Sequence, residues 1–286
     1  MERKSSSSQP LPAAEEPAVS VTQKAPALDD AERERYSRQL LIPEWGEAGQ
    51  VQLENSTVLV AGLGGLGGPV CLYLAAAGVG KLILCDCGSV ELSNLNRQIL
   101  YSENDLGCLK APAAATRLKS LNPLITTQTI TAKIDASNAA GLASGADIIV
   151  DCLDNFPTRL LLNTQAVRLG IPFVHGGIHG TGGQFAFLHP PHTPCLACLF
   201  GGYESDPDTT GKNSGAAPLP VVGAIAGIIA CMEALAAIRF LVLGKPTLPN
   251  RLWRSDDWDS EAETLDISRD PRCPVCSATH IHKEER

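Results

Sequence analysis

The chain has 286 residues, 44% hydrophobic and 19% charged, with a formal net charge of -8, which is enough apolar sequence for one large core or two modest ones. The acidic balance argues against a bulk electrostatic grip on nucleic acid, because a phosphate backbone needs a basic surface. Ten cysteines without a secretory signal point to a reducing compartment, so a cytoplasmic protein is expected, with thiols serving as metal ligands, nucleophiles or small core residues.

Residues 1–30 are expected to form a disordered tail. The first 25 are rich in Ser, Pro, Ala and Glu and lack the apolar segment of a signal peptide or anchor. Residues 31–286 are expected to form one domain. Within it, 31–50 is charged and helix-like, with Arg35, Arg38 and Gln39 gathered around Tyr36. An apolar run at 58–61 then enters the glycine loop Gly62-Leu63-Gly64-Gly65-Leu66-Gly67, a helix-like segment follows, and a second run at 82–85 delivers Asp86. Glycines at this spacing let the backbone turn sharply after a strand and bring amides against phosphate, at a helix N-terminus that favours negative charge. Asp86 stands about 20 residues beyond the loop, where a carboxylate binds ribose hydroxyls. That fingerprint alone fits NAD as readily as ATP.

The next residues favour ATP. Ser93-Asn94-Leu95-Asn96-Arg97-Gln98 places amides and a guanidinium just past the second strand, near the crevice where phosphates lie, whereas a nicotinamide ring needs an apolar slot. Lys110 opens the next helix-like run as a point charge for phosphates. Asp154, followed by Asn155, comes after another apolar strand and is a candidate magnesium ligand. Arg97 or Lys110 taken singly reads as a solvated surface charge; as a set at successive strand ends these residues read as a site.

Strand-like runs at 58–61, 82–85, 125–130, 148–152 and 172–174 alternate with helix-like segments, which implies right-handed crossovers and a parallel sheet; 184–188 reads as a strand outside that pattern. The fold class expected is α/β, a Rossmann-like doubly wound, mainly parallel sheet with added antiparallel strands and a structural zinc site. The zinc follows from Cys195-Leu196-Ala197-Cys198 and Cys273-Pro274-Val275-Cys276, two tight turns that together supply a tetrahedral thiolate set with no open position. Redox pairs are the blander reading, weakened by the repeat of the spacing. Cys71, Cys85, Cys87, Cys152 and Cys231 lie in apolar runs and are expected in the core, while Cys108 is left open. The stretch 201–220, full of Gly, Pro, Asp, Ser and Thr, reads as a long functional or disordered loop. The apolar run 221–232 is broken by Glu233 and Arg239, short of the roughly 18 clean residues of a membrane span, and is expected as a buried helix. His175, His179, His189, His192, His280 and His282 show no spacing of a base or second metal and are expected to be structural or surface residues.

Over 35–276 the chain resembles the MoeB/ThiF group of activating enzymes, which adenylate the C-terminus of ubiquitin-like proteins. The residues that carry the resemblance are Arg35-Tyr36-Ser37-Arg38-Gln39-Leu40, the glycine loop, Asp86, the 93–98 segment, Lys110, Asp151-Cys152-Leu153-Asp154-Asn155 and both cysteine pairs. The resemblance implies ATP, Mg2+ and Zn2+. It places Gly62, Gly64, Gly65, Ser93, Gln98 and Asn155 in the ATP site, with Asp86 on the ribose, Asn94, Arg97 and Lys110 on the phosphates, and Asp154 positioning magnesium. Arg38 would reach the neighbouring subunit's ATP site, which implies a homodimer. The implied partners are a ubiquitin-like sulfur-carrier protein ending in Gly-Gly and a sulfur donor, a cysteine desulfurase or rhodanese domain, serving tRNA thiolation, protein modification or molybdopterin synthesis, with neither membrane nor direct nucleic-acid binding.

The chain is most similar to the adenylation domain of eukaryotic sulfur-carrier adenylyltransferase-sulfurtransferases, which continue into a rhodanese domain where this sequence stops. In that group a loop cysteine accepts the modifier. Matching the loop on Gly215, Pro220 and Gly223 puts Lys212 there, where an amine would give a stable amide in place of a labile thioester. A second departure is Gly107-Cys108-Leu109 ahead of Lys110, where relatives carry polar residues. Alternative readings are a relative that dehydrates a modified tRNA adenosine and a catalytically silent scaffold subunit.

Overall fold

The structure, a computed structural model, describes residues 27–200, 220–256, 258 and 261–277. The expected tail up to residue 26, the loop over 201–219 with Lys212, and His280 and His282 lie outside the described residues.

Three short helices replace the single helix expected over 31–50: α1 (Asp30–Arg35), α2 (Ser37–Leu40) and α3 (Gly46–Glu54). Tyr36 ends the first by burying its ring, with its hydroxyl accepting from Asn122 at 3.0 Å. Pro43 lies in the turn before α3, where it offers no N–H to continue a helix. Packing starts ahead of residue 31. Leu28 is buried, and Asp29 caps α1 in a capping box, its carboxylate accepting the Glu32 N–H at 2.8 Å while Glu32 accepts the Asp29 N–H at 2.7 Å.

The sheet has eight strands: β1 (Thr57–Ala61), β2 (Lys81–Cys85), β3 (Thr126–Ile130), β4 (Ile148–Asp151), β5 (Phe173–His179), β6 (Gly182–Leu188), β7 (Arg251–Ser255) and β8 (Ala262–Asp266), in the order β3-β2-β1-β4-β5-β6-β7-β8. The pairs from β3 to β5 are parallel, with Val60 opposite both Leu84 and Val150, and those from β5 to β8 are antiparallel. The expected α/β class with added antiparallel strands is what forms. The chain winds outwards from β1 through β2 to β3, then returns to β4 on the other side of β1. Strand order therefore reverses between β1 and β4, and the crevice beyond their carboxyl ends is where such sheets bind ligands.

Both sheet faces are covered, which explains the continuous apolar runs of the central strands. Val58, Val60, Leu82, Leu84 and Val150 point to one side, under α4 (Gly67–Ala77), α5 (Lys110–Leu121) and α9 (Gly223–Leu243). Leu59, Ala61, Ile83 and Ile149 point to the other, under α6 (Ala139–Ala143) and α7 (Phe156–Leu169). A further short helix, α8 (Leu196–Phe200), packs on α7.

The buried helix expected over the apolar run forms as α9 and continues through Glu233 and Arg239. The helix runs for 21 residues, and the Glu233 side chain is fully buried over Gly176, where a Cβ would lie 2.5 Å from its Cδ. By length and composition α9 is apolar enough to cross a bilayer, yet over half of it is buried against α3, α4, β5 and β6.

Candidate functional site

The turn from β1 into α4 is built to be free of side chains. Gly62 has φ of 87°, and a Cβ on it would meet the Cys152 carbonyl oxygen at 2.6 Å; one on Gly67 would sit 1.9 Å from the Gly62 oxygen. Only glycine fits both places. The turn opens into a cleft of about 1300 Å3 whose walls include Gly62, Gly64, Gly65, Asp86, Arg97, Gln98, Lys110, Asp154 and Asn155.

Asp86 is fixed by two backbone amides, Gly88 N–H donating to Oδ1 at 2.7 Å and Leu63 N–H to Oδ2 at 2.8 Å. Each oxygen keeps a lone pair for a further donor. Arg97 donates through Nη1 to the Ser93 carbonyl at 2.8 Å and to Asn96 Oδ1 at 3.0 Å, which leaves Nε and Nη2 without partners among the described residues. Gln98 is buried and its amide oxygen has no donor among the described residues. A buried acceptor of this kind on a cleft wall calls for a donor from a ligand or water. Lys110 opens α5, and its Nζ would lie 3.7 Å from a Cβ on Gly88, beside Asp86. Asp154 is exposed at the cleft, and Asn155 caps α7 by accepting the Thr158 N–H at 3.1 Å while donating to Asp154 at 3.3 Å.

Other expected residues are not brought to the cleft. Asn94 is buried and accepts the Glu91 N–H at 3.3 Å, and Ser93 donates to the Glu91 carboxylate at 3.3 Å, so both side chains serve the single turn 92–94. Arg38 is exposed on α2, outside its own chain's cleft. Cys87 and Cys231, expected in the core, are exposed. Strand β2 has ended before Cys87, which lines the cleft, and Cys231 falls on the outer face of α9.

Beneath the cleft lies a buried polar cluster that spacing alone did not reveal. Asp151, fully buried at the end of β4, accepts from Arg159 Nη1 at 3.2 Å and from His175 Nδ1 at 2.8 Å. Arg159 also donates to the carbonyls of Gly176, at 2.7 Å, and Leu153. Burial pushes His175 below the usual imidazole range and Glu233 well above the usual carboxylate range, which favours the neutral form of each. The sequence signal was there, in ionisable residues at buried positions of β4, α7, β5 and α9, but nothing in one sequence says which of them meet.

The four cysteines of the two Cys-x-x-Cys turns converge, with sulfurs all within 4.8 Å of one another. Cys195 Sγ lies 3.9 Å from Cys198 and 3.6 Å from Cys273, and Cys198 lies 3.4 Å from Cys276. A tetrahedron with Zn–S bonds of about 2.3 Å has edges of about 3.8 Å, so the set fits a closed structural zinc site. The Asp270 N–H donates to Cys198 Sγ at 3.4 Å, an outer-shell bond suited to a thiolate.

Comparison with known proteins agrees with this geometry. The model of the ThiF family matches residues 36–275. The chain is 40% identical over 250 residues to the SAMP-activating enzyme E1 of Haloferax volcanii, covering 87% of this chain and 91% of the relative. It is 39% identical over 259 residues to the sulfur carrier protein adenylyltransferase of Thermus thermophilus, covering 88% and 94%. It is also 39% identical over 244 residues to the adenylyltransferase and sulfurtransferase MOCS3 of Caenorhabditis briggsae, 85% of this chain and 60% of that longer protein. Among solved structures it superposes on E. coli MccB with ATP at a TM-score of 0.74 and 27% identity, covering 85% of this chain and 74% of that one.

Two expectations follow. Thiolate zinc sites contribute on the order of 10 kcal/mol of apparent binding energy in small metal domains. Metal analysis should therefore find one zinc per chain, and a strong chelator or Cys276→Ser should release it and lower the melting temperature; native protein without zinc would overturn the assignment. The second concerns Glu233, which burial raises above its unfolded value of about 4.3. Its contribution to stability is complete below that pH and declines as pH rises towards the folded value. In denaturant titrations the neutral isostere Glu233→Gln should match the parent near pH 4 and gain on it steadily towards pH 8, whereas a pH-independent difference would mean that Glu233 is ionised in the fold.

Proposed function

The chain belongs to the ThiF family, and from that premise we propose that it is an ATP-dependent adenylyltransferase acting on the C-terminal carboxylate of a ubiquitin-like sulfur-carrier protein that ends in Gly-Gly. The observation that carries the reading is the convergence of Asp86, Arg97, Gln98, Lys110 and Asp154 on one cleft at the reversal of strand order between β1 and β4. The names of the Haloferax and Thermus relatives support the carrier as substrate.

The reaction joins a carboxylate oxygen of the carrier to the α-phosphorus of ATP and releases pyrophosphate. The attacking group is already an anion, so no general base is required. What the site must supply is alignment and stabilisation of charge gathering on the phosphoryl oxygens. Asp86 holds the ribose, Arg97 and Lys110 meet the phosphates, and the glycine turn lets them approach the backbone. Asp154 would hold Mg2+, which when bound neutralises phosphate charge.

Arg38 sits outside its own cleft, which supports a homodimer in which it serves the partner's site. The activated carrier then passes to a sulfur donor, a cysteine desulfurase or rhodanese domain, in the cytoplasm. Residues 31–286 act as the adenylation domain, with Lys212 at the place of the acceptor thiol.

ATP-pyrophosphate exchange with a panel of Gly-Gly-ended carriers tests the reading directly. Asp154→Ala should lower exchange by about 100-fold, the scale seen when one transition-state stabiliser is removed, with the unfolding midpoint unchanged because Asp154 is exposed. Normal exchange by that variant would rule out its role. Mixed heterodimers of Arg38→Ala and Asp154→Ala subunits should recover one working site per pair; heterodimers that form without regaining exchange would place Arg38 in its own subunit's chemistry.

A further inference from the structure

We propose that Gln184 is a substrate-positioning residue whose side-chain oxygen accepts a main-chain N–H from the carrier's C-terminal segment, and that His175 and Asp151 hold its amide in the required orientation. The proposal rests on the adenylation reading and assigns the protein substrate to one half of the cleft.

Position comes first. The nucleotide-binding features belong to the ends of β1, β2 and β4 and the loops that leave them, whereas Gln184 lies on β6, two strands from β4 and three from β1 in the sheet. At about 4.8 Å per strand the latter is about 14 Å. The same cleft nevertheless reaches Gln184, together with Gly177, Gly183 and Arg254. An acyl donor must enter from the end that ribose and phosphates leave open, and this is that end.

Shape points to a bare peptide chain. A Cβ on Gly183 would lie 2.5 Å from Ile229 Cγ1, where something would have to shift, and one on Gly177 would lie 3.0 Å from Gln184 Cγ and would crowd that side chain. The cleft wall here is backbone, opposite which an unbranched Gly-Gly segment can lie close.

Hydrogen accounting then fixes the amide. Arg159 Nη1 carries two hydrogens, and both are used, on the Gly176 carbonyl at 2.7 Å and on Asp151 at 3.2 Å. Its 2.9 Å approach to His175 Nδ1 is therefore not a hydrogen bond, and Nδ1 keeps its proton to donate to Asp151 at 2.8 Å. In this neutral tautomer Nε2 is an acceptor, and Gln184 Nε2 donates to it at 3.1 Å. The amide nitrogen is thus tied to His175. The amide oxygen is left as an acceptor with no hydrogen-bond partner among the described residues, on a side chain that lines the cleft. A peptide N–H is the donor that a C-terminal tail brings.

The test measures pyrophosphate exchange by the full chain with wild-type carrier and with carriers whose last or penultimate glycine is N-methylated. Gln184→Ala should raise the KM for carrier about tenfold while leaving the KM for ATP within twofold. His175→Ala should do the same to a lesser degree. His175→Gln, which keeps an N–H for Asp151 and an oxygen for Gln184, should restore the parent value. One of the two N-methylated carriers should lose about tenfold with the parent enzyme and nothing further with Gln184→Ala. The N-methyl measurement on the parent enzyme stands even where a variant folds poorly. Equal N-methyl penalties in both enzymes, or a Gln184→Ala effect on ATP in place of carrier, would overturn the assignment. Failure of the parent enzyme to exchange pyrophosphate with any Gly-Gly carrier would instead remove the adenylation reading, and with it the substrate assigned to Gln184.

Discussion

Asp151 ends the central strand β4 with a carboxylate that water does not reach, and the far wall of the cleft is arranged around satisfying it. A buried charge without partners is strongly destabilising, so the chain brings a guanidinium from α7 and an imidazole from β5 to the same oxygen. Arg159 has hydrogens beyond those Asp151 takes. It spends them on the carbonyls of Leu153 and Gly176, and thereby ties the exits of β4 and β5 together. Asp154 follows Leu153 directly. The loop that presents it is therefore held by a group chosen for a different reason, the neutralisation of Asp151, and the site inherits its rigidity from the core.

Electrostatics inside the cleft depart from those of the whole chain. The net charge is -8, yet Arg97, Lys110, Lys133, Arg159 and Arg254 line the cleft against Asp86, Asp154 and Asp256. Asp86 is engaged by two backbone amides, and Asp256 by Arg254. Arg254 is engaged by Asp256 and Glu263 and Arg159 by the buried Asp151, so Arg97, Lys110 and Lys133 are what faces Asp86 and Asp154. A local positive field in an acidic protein suits a compact, highly charged ligand such as a nucleoside triphosphate.

Much of this was legible in the sequence, for identifiable reasons. The glycine turn, Asp86, Arg97, Lys110 and Asp154 are visible because each sits a fixed distance from an apolar strand, and strand ends in a doubly wound sheet converge on one crevice. The two cysteine pairs are visible because their spacing has few other uses. The last two strands, β7 and the edge strand β8, are not, because Arg251-Leu252-Trp253-Arg254-Ser255 has no apolar run and β8 is exposed throughout. The resemblance implied a phosphate role for Asn94; the folded turn shows its side-chain oxygen used on the Glu91 N–H. The buried helix over the apolar run was legible, but not that it continues past Glu233, whose neutral form burial favours and for which Gly176 leaves room. His175 had no sequence neighbour to suggest a partner, since Asp151 lies 24 residues away on the adjacent strand.

The zinc cluster is not separate from this arrangement. Cys195 and Cys198 sit at and within α8, so a metal bound there pins that helix to the segment that follows β8. The last residue of α8 is Phe200, whose ring lies 5.4 Å from that of Phe156 at the start of α7 and 5.7 Å from that of His175. Phe156 follows Asn155 and Asp154, while His175 joins Asp151 to Gln184. Aromatic packing of this kind is directional and resists sliding. A metal bound there would brace, through one short helix, both the loop that carries Asp154 and the imidazole beside Gln184, so that the two halves of the cleft would share a single support.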